Sequence, residues 1–300
     1  MDMSIFEQVT SALTVKSICT SLGPDIPAES TDLDLSVMHC EADLDPFNNP
    51  SRVIGFNGSV IGMIWFEDYA QLETDGDGGS RTVEEAMQRL EPSEILSSST
   101  SILDAVDIFG SKPNRYFYVV HIADIVGVVF YRDLFKPLGR LAFLALALEI
   151  EDYALTLCGS ASINERCWQS LSDNRKFKAI ELFKLRYGRE PKLRTDAQEE
   201  EDDLVLWARP LSDISLLIGC TNLVDKATMI WKQKLIPAAK QADVLGFFND
   251  LREIRDQCAH PGRDEELIPK ERLAHFVNSA KCMRSSLRES VQRVTTPPTS

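Results

Sequence analysis

The strongest constraint on this chain is a short motif that occurs twice. Residues Gly62–Asp68 read GMIWFED, and residues Gly127–Asp133 read GVVFYRD. Both follow an apolar run, and both consist of a glycine, two apolar residues, two aromatic residues, one variable residue and an aspartate. The two glycines are 65 positions apart. This spacing indicates two copies of one small domain.

Strand-like and helix-like segments are mixed around the two motifs. Ser59–Phe66, Tyr116–His121 and Ile125–Tyr131 are rich in β-branched and aromatic residues, and the last two predict a hairpin. Short helices are predicted over Val83–Leu90 and Ile102–Gly110, the second after a run of serine and threonine that favours a helix start. The N-terminal part is therefore predicted to be α+β.

Residues 8–136 resemble a tandem pair of CBS domains, in which two copies pack as a pseudo-symmetric pair. The resemblance is carried by Leu13–Val15, Val53–Asp68, Ser97–Ala105 and Arg115–Phe135. The copies would span about residues 8–72 and 92–136.

This resemblance implies an adenine nucleotide between the copies, with Asp68 and Asp133 binding ribose hydroxyls. Members of the family place a serine or threonine three residues after the glycine, but Trp65 and Phe130 stand at these positions here. The two rings supply no hydroxyl and occupy space, and the acidic surroundings repel phosphate. The alternative is that both aspartates only cap the helix after each strand.

The sequence changes character after Pro137. Helical periodicity dominates, strand signals are few, and an all-α bundle is predicted over residues 138–292, with a disordered tail at 293–300. The predicted fold class is thus a multi-domain chain, an α+β tandem pair followed by an all-α helical bundle. The helices are predicted over Leu138–Cys158, Asn164–Tyr187, Leu204–Ile218, Val224–Trp231, Pro237–Ala259 and Pro269–Gln292.

A charged motif lies late in this helical part. Residues 255–260 read RDQCAH, an arginine and a histidine separated by four residues. In a helical context, with Asp256 directly after Arg255, this motif resembles that of the HEPN superfamily. Pro261 disfavours helical backbone at His260, so the histidine is expected at the helix end. Asp256 and His260 are four residues apart, which would let the carboxylate orient the imidazole.

The resemblance implies a metal-independent ribonuclease. His260 would take the proton of an RNA 2′-hydroxyl, and Arg255 would stabilise the charge that develops on the attacked phosphate. The products would be a 2′,3′-cyclic phosphate and a 5′-hydroxyl. The family commonly builds its site at a dimer interface, which implies a homodimer.

Two alternatives stay open for the helical part. Arg255 and His260 also fit a charged helix end with a structural role, in a domain that serves only dimerisation or binding. A basic cluster in the helical part also has two interpretations, since it fits either a solvated surface or an RNA-binding patch. The candidate RNA-binding residues are Arg175, Lys176, Lys178, Arg186 and Arg189.

Charge and cysteine content exclude several function classes. The net charge is −14, and residues 1–100 alone contain 18 acids and 4 bases, which argues against a generally basic nucleic-acid-binding protein. Seven scattered cysteines without a CxxC pair favour free thiols and disfavour a disulfide framework or a zinc site. No apolar run is long enough to span a bilayer, and no signal peptide is recognised. We therefore expect a cytoplasmic protein that does not bind a membrane.

Overall fold

The computed structural model describes residues 5–23, 26–27, 50–54, 60–65, 87–192, 212–237, 239–260 and 268–295. The chain divides into two compact units. Residues 8–142 and 267–271 form the first, here called the repeat unit. Residues 1–7, 143–266 and 272–300 form the second, here called the helical unit.

The repeat unit contains two three-stranded sheets with the same topology. In each sheet the first strand is parallel to the second, and the second is antiparallel to the third. The first sheet consists of β1 (Ile26–Pro27), β2 (Ser51–Ile54) and β3 (Val60–Ile64). The second consists of β4 (Ile95–Ser97), β5 (Tyr116–His121) and β6 (Asp124–Phe130).

The two sheets also agree residue by residue in their register. Val53 pairs with Gly62 in the first sheet, as Val119 pairs with Gly127 in the second. A bulge follows directly in both, between Val53 and Ile54 and between Val119 and Val120. Since a bulge breaks strand pairing at one specific position, the shared bulge confirms that the repeated motif belongs to two copies of one α+β structure.

Each sheet is also bridged by a segment that precedes the strands of the other copy. Thr20, which precedes the first sheet, exchanges backbone hydrogen bonds of 2.7 and 3.0 Å with Val128 of β6. Gln88, which precedes the second sheet, exchanges bonds of 2.9 and 2.7 Å with Met63 of β3. Val128 and Met63 each follow the motif glycine, so the exchange is symmetric. The two copies are joined by this crossing of segments.

The described end of the predicted helix Val83–Leu90 is not helical. Residues 83–86 lie outside the described residues, and residues 87–90 contain the bridge of Gln88 to Met63. Both backbone polar groups of Gln88 are used by this bridge, so they are unavailable to a helix. The helical prediction is wrong for residues 87–90.

The helix of the second copy begins where the sequence predicts. In α2 (Ile102–Ser111) the Ser101 hydroxyl accepts a bond of 3.1 Å from the Asp104 N–H and donates one of 2.7 Å to its carboxylate. This capping satisfies a backbone donor that the first turn leaves without a partner. The buried face of α2 then places Phe109 against Phe117 of β5, with ring centroids 4.9 Å apart.

The described residues from 137 to 295 form helices without a strand among them. Pro137 is the first residue of α3, where its missing N–H costs nothing. The segment predicted as one helix over Asn164–Tyr187 is divided at Ser170–Ser172, since Ser170 and Ser172 act as the C-cap and N-cap of two separate helices. Including α1 (Ile5–Ala12), the remaining helices are α3 (Pro137–Gly159), α4 (Asn164–Gln169), α5 (Asp173–Tyr187), α6 (Ile214–Gly219), α7 (Leu223–Lys232), α8 (Gln241–Ala259) and α9 (Lys270–Thr295).

Candidate functional site

Arg255 lies near the end of α8, at the edge of the face that the helix buries. Val244, Phe248, Leu251 and Ile254 recur at intervals of three or four residues and are all buried, which fixes the helix orientation in the helical unit. Arg255 follows Ile254 in the sequence and is half-buried. Its guanidinium therefore lies against neighbouring helices and is only partly exposed to solvent.

Two carboxylates neutralise Arg255. Its Nη1 lies 3.0 Å from Oε2 of Glu151 on α3, and its Nη2 lies 3.2 Å from Oδ1 of Asp256. The side chains of Arg255 and Glu151 keep only 30% and 26% of their exposure, so the pair is screened less than a surface ion pair. In this arrangement the positive charge of Arg255 is already matched before any ligand arrives.

Glu151 is shared with a second cation that the sequence did not single out. The ammonium of Lys226 on α7 lies 3.8 Å from Oε1 of Glu151, and it donates a bond of 2.7 Å to the carbonyl of Thr221. Lys226 is only 2% exposed, and burial lowers its pKa although Glu151 acts in the opposite direction. Charges of alternating sign therefore run from Lys226 through Glu151 and Arg255 to Asp256.

His260 lies directly after the last residue of α8. It is the C-cap of α8, with φ −122° and ψ 73°, and its backbone N–H still donates to the carbonyl of Asp256 over 3.2 Å. The side chain is exposed. The residues that follow, 261–267 with Pro261, lie outside the described residues.

The carboxylate of Asp256 binds Arg255, whereas the sequence predicts that it orients the imidazole of His260. Asp256 Oδ1 accepts from Nε of Arg255 at 3.3 Å and from Nη2 at 3.2 Å. Within residues 239–260 and the other described ranges, no hydrogen bond to the imidazole of His260 is present. Arg255 and Asp256 are thus brought together, and no described hydrogen bond joins the imidazole of His260 to their ion pair.

Of the two predicted ribose ligands, the structure describes Asp133, whereas Asp68 lies outside the described residues. Asp133 is 3% exposed, and its Oδ2 accepts from the Phe130 N–H at 2.8 Å. Its Oδ1 lies 3.1 Å from the ammonium of Lys136. The hydroxyl of Thr20 lies 3.4 Å from Oδ2. The carboxylate thus caps the helical turn after β6 and binds the segment that crosses from the other copy.

Aromatic side chains pack at the positions where the resemblance places a hydroxyl. Trp65 is buried, and its ring centroid lies 4.6 Å from that of Tyr116 and 5.8 Å from that of Phe130. The indole N–H of Trp65 donates to the hydroxyl of Tyr118 over 3.3 Å. Burial is the main reason that the pKa of Tyr118 is raised above its ordinary value. The cluster is continuous with the apolar core around Met63 and Val128.

The predicted RNA-binding cluster lies on α5 and directly after it, and three of its five residues bind other side chains of the helical unit. Lys176 is 6% exposed and donates to Gln169 at 3.1 Å. Arg175 lies 3.4 Å from the carboxylate of Asp225, and Arg189 forms bonds of 2.7 and 3.2 Å with Asp213. Of the five predicted residues, Lys178, Arg186 and Arg189 are exposed.

A pair of buried cysteines lies close to Lys226. Cys158 on α3 and Cys167 on α4 are both fully buried. Interaction with the thiol of Cys167 is the first cause, and burial the second, of the raised pKa of Cys158. The thiol of Cys158 donates weakly to the carbonyl of Lys226 over 3.9 Å. Both thiols are packing residues of the helical unit, as free cysteines in cores commonly are.

The described residues contain no group of three or more histidine, cysteine, aspartate or glutamate side chains that could hold a metal ion. In the same part of the chain, no helix combines the length and the apolar character that crossing a membrane requires.

Solved structures similar to this chain are CBS domain proteins. A CBS domain of a membrane protein from Sphaerobacter thermophilus is 18% identical over 44% of this chain and 91% of its own, with a TM-score of 0.34. CBS domains of a transcriptional regulator from Streptococcus pneumoniae are 20% identical over 41% and 98%, with a TM-score of 0.31. CBSX2, solved in complex with AMP, is 18% identical over 41% and 92%, with a TM-score of 0.30. No family model and no curated protein matches the chain.

Proposed function

We propose that this chain is a non-catalytic regulatory or scaffold protein, in which the tandem repeat pair is the regulatory module and the helical unit serves association. The observation that carries this proposal is the neutralised guanidinium of Arg255, which binds Glu151 at 3.0 Å and Asp256 at 3.2 Å. The cytoplasm is the proposed compartment, and no disulfide joins the six described cysteines.

The energetics of the Arg255 cluster support a structural role. A phosphate that approached Arg255 would compete with two carboxylates that carry the same sign of charge. If phosphate displaced Glu151, the buried ammonium of Lys226 would also lose its counter-charge. Leaving a buried charge without a partner costs about 3–5 kcal/mol. Arg255 is therefore better suited to hold α8 against α3 than to bind RNA.

The repeat unit fits a packing scaffold better than an adenine nucleotide site. The carboxylate of Asp133 already binds the N–H of Phe130, the ammonium of Lys136 and the hydroxyl of Thr20. The ring of Trp65 packs against Tyr116 and Phe130. We expect AMP, ADP and ATP to leave the melting temperature unchanged, since a ligand stabilises a protein only by binding its folded state. A saturable rise with any of the three would support nucleotide sensing.

The decisive experiment compares cleavage of a fluorescent RNA in EDTA by the wild type, Arg255→Ala, His260→Ala and Glu151→Gln. The scaffold proposal expects no cleavage by any of them. It also expects Arg255→Ala to lower the unfolding free energy by about 1–3 kcal/mol, the loss typical of charged hydrogen bonds. Glu151→Gln should lower it by about 3–5 kcal/mol, because the buried ammonium of Lys226 loses its counter-charge. His260→Ala is the matched control, because His260 is exposed and should change stability by less than about 0.5 kcal/mol.

The second candidate function is metal-independent RNA cleavage by Arg255 and His260 in a homodimer. The exposed side chain of His260, outside the helix and less than two turns from Arg255, favours this alternative. Cleavage by the wild type that both alanine variants abolish, with 2′,3′-cyclic phosphate ends, would establish it and refute the scaffold proposal. Under this alternative Glu151→Gln would increase the rate, because it would release the guanidinium of Arg255.

A further inference from the structure

The turn that ends α7 adopts a backbone conformation that its residue type disfavours. The N–H of Leu235 donates to the carbonyl of Ile230 over 2.9 Å, and the N–H of Lys234 donates to that of Trp231 over 3.0 Å. These two bonds form a Schellman motif, whose left-handed position glycine usually occupies. Lys234 stands there with φ 51°. Apart from glycines, only Ile122 and Lys234 among the described residues have a positive φ.

A cavity of about 620 Å³ opens beside this turn. Its volume lies within the range of roughly 300–1,000 Å³ that small-molecule sites occupy. Four of its lining side chains are large and apolar, and two are basic. These are Ile230, Trp231, Ile236, Val244, Lys232 and Lys234.

The charges around the cavity have one sign. No carboxylate is among the described lining residues. The ammonium of Lys232 already donates to the carbonyl of Ser170 over 2.7 Å. Lys234 is exposed, and no acceptor for its ammonium is present within residues 212–237 or the other described ranges. A strained backbone conformation is kept where the function of a site requires that residue. A binding role for the ammonium of Lys234 at the cavity would explain why lysine stands at a position that glycine usually occupies.

We propose that this cavity binds a small anion with an apolar body, such as an alkyl or aryl carboxylate. The apolar body is held by Trp231, Ile236 and Pro237, and the anionic group is held by Lys234. A neutral or cationic molecule of the same shape gains the apolar contacts only. The lining residues belong to the helical unit and include no member of the Arg255 cluster, so the proposal depends on neither role proposed above.

The test measures binding of decanoate to the full chain by isothermal titration calorimetry, with decylammonium as the probe of opposite charge. We expect saturable one-to-one binding of decanoate and at least about tenfold weaker binding of decylammonium, as the loss of a charged contact predicts. No binding of decanoate, or equal binding of both probes, would overturn the proposal.

Lys234→Gly separates binding from folding. Glycine relieves the positive φ, so we expect the variant to melt at a higher temperature and yet to bind decanoate at least about tenfold more weakly. Ile122→Gly is the matched control, because it relieves the other positive φ, lies in the repeat unit and should keep wild-type binding. Lys234→Arg keeps the charge and should retain most of the affinity.

Ala239→Trp locates the site, because Ala239 lines the cavity and is only half-buried. The larger ring reduces the cavity volume, so decanoate binding should be lost while Lys234→Arg still binds. Wild-type affinity in Lys234→Gly, or in Ala239→Trp, would place the ligand elsewhere and refute the assignment.

Discussion

Gly127 is the position where the crossing of segments between the two copies can be tested most directly. A Cβ atom added to Gly127 would lie 2.6 Å from the carbonyl oxygen of Thr20 and 2.8 Å from the sulfur of Cys19. The first of these atoms belongs to the backbone that is bound to Val128. Gly127→Ala must therefore push the crossing segment away from β6.

The cost follows from what this displacement breaks. The segment is held by two backbone bonds, of 2.7 and 3.0 Å, between Thr20 and Val128, each worth about 0.5–1.5 kcal/mol. Overpacking of a buried site adds about 1–3 kcal/mol when the neighbours cannot relax. We expect Gly127→Ala to lower the unfolding free energy by about 2–6 kcal/mol. The equivalent Gly62→Ala should cost less, since its nearest atom, at 2.9 Å, is the flexible sulfur of Met87.

Urea denaturation followed by circular dichroism measures these differences. Gly246→Ala is the matched control, because Gly246 lies exposed in α8 with nothing within 4 Å of the added atom. Alanine is the better helix former, so this control should gain about 0.5–1 kcal/mol. If Gly127→Ala were as stable as the wild type, the close approach of Thr20 to β6 would be refuted.

Two predictions concern the pH dependence of stability in the helical unit. The hydrogen bonds of Arg189 lower the pKa of Asp213. Their contribution to the free energy of unfolding should therefore be complete above the ordinary pKa of 3.8 and should be lost as the pH falls below it. The melting temperatures of the wild type and Asp213→Asn should converge in acid. Burial lowers the pKa of Lys226, so the unfolded chain binds more protons than the folded chain up to about pH 10.5. The free energy of unfolding of the wild type should therefore rise with pH up to that value. It should not rise in Lys226→Met, which has no ammonium at this position. Urea titrations between pH 8 and 10.5 measure the second effect, and parallel curves for both proteins would contradict it.

The architecture of the repeat unit could be predicted because its information is local and repeated. The hairpin of β5 and β6 follows from two apolar runs with a short connection, and Ser101 supplies the helix cap that its neighbours predict. The repeated glycine indicates the two copies, since a side chain at Gly62 or Gly127 would meet the crossing segment. Local pattern and tertiary packing agree at these positions.

The prediction of a helix is wrong at Gln88, where the residue acts through a distant part of the chain. Gln88 lies in a segment with helical character but forms a bridge with Met63, and this pairing overrides the local preference. Lys176 belongs to a basic run in the sequence, and the break before α5 places its side chain in a buried position, where it donates to Gln169. Periodicity alone does not show which side of a helix start faces the core.

The Arg255 cluster shows why a short motif underdetermines chemistry. Arg255 and His260 are close in sequence, but the partner that controls the guanidinium is Glu151, 104 positions earlier. Glu151 is itself fixed by the buried Lys226, because a buried ammonium requires a counter-charge. Whether Arg255 can serve a phosphate thus depends on the free energy of separating Lys226, Glu151 and Arg255. Glu151→Gln changes this free energy while leaving Arg255 and His260 intact, so its rate and its stability together distinguish a restrained catalytic arginine from a structural one.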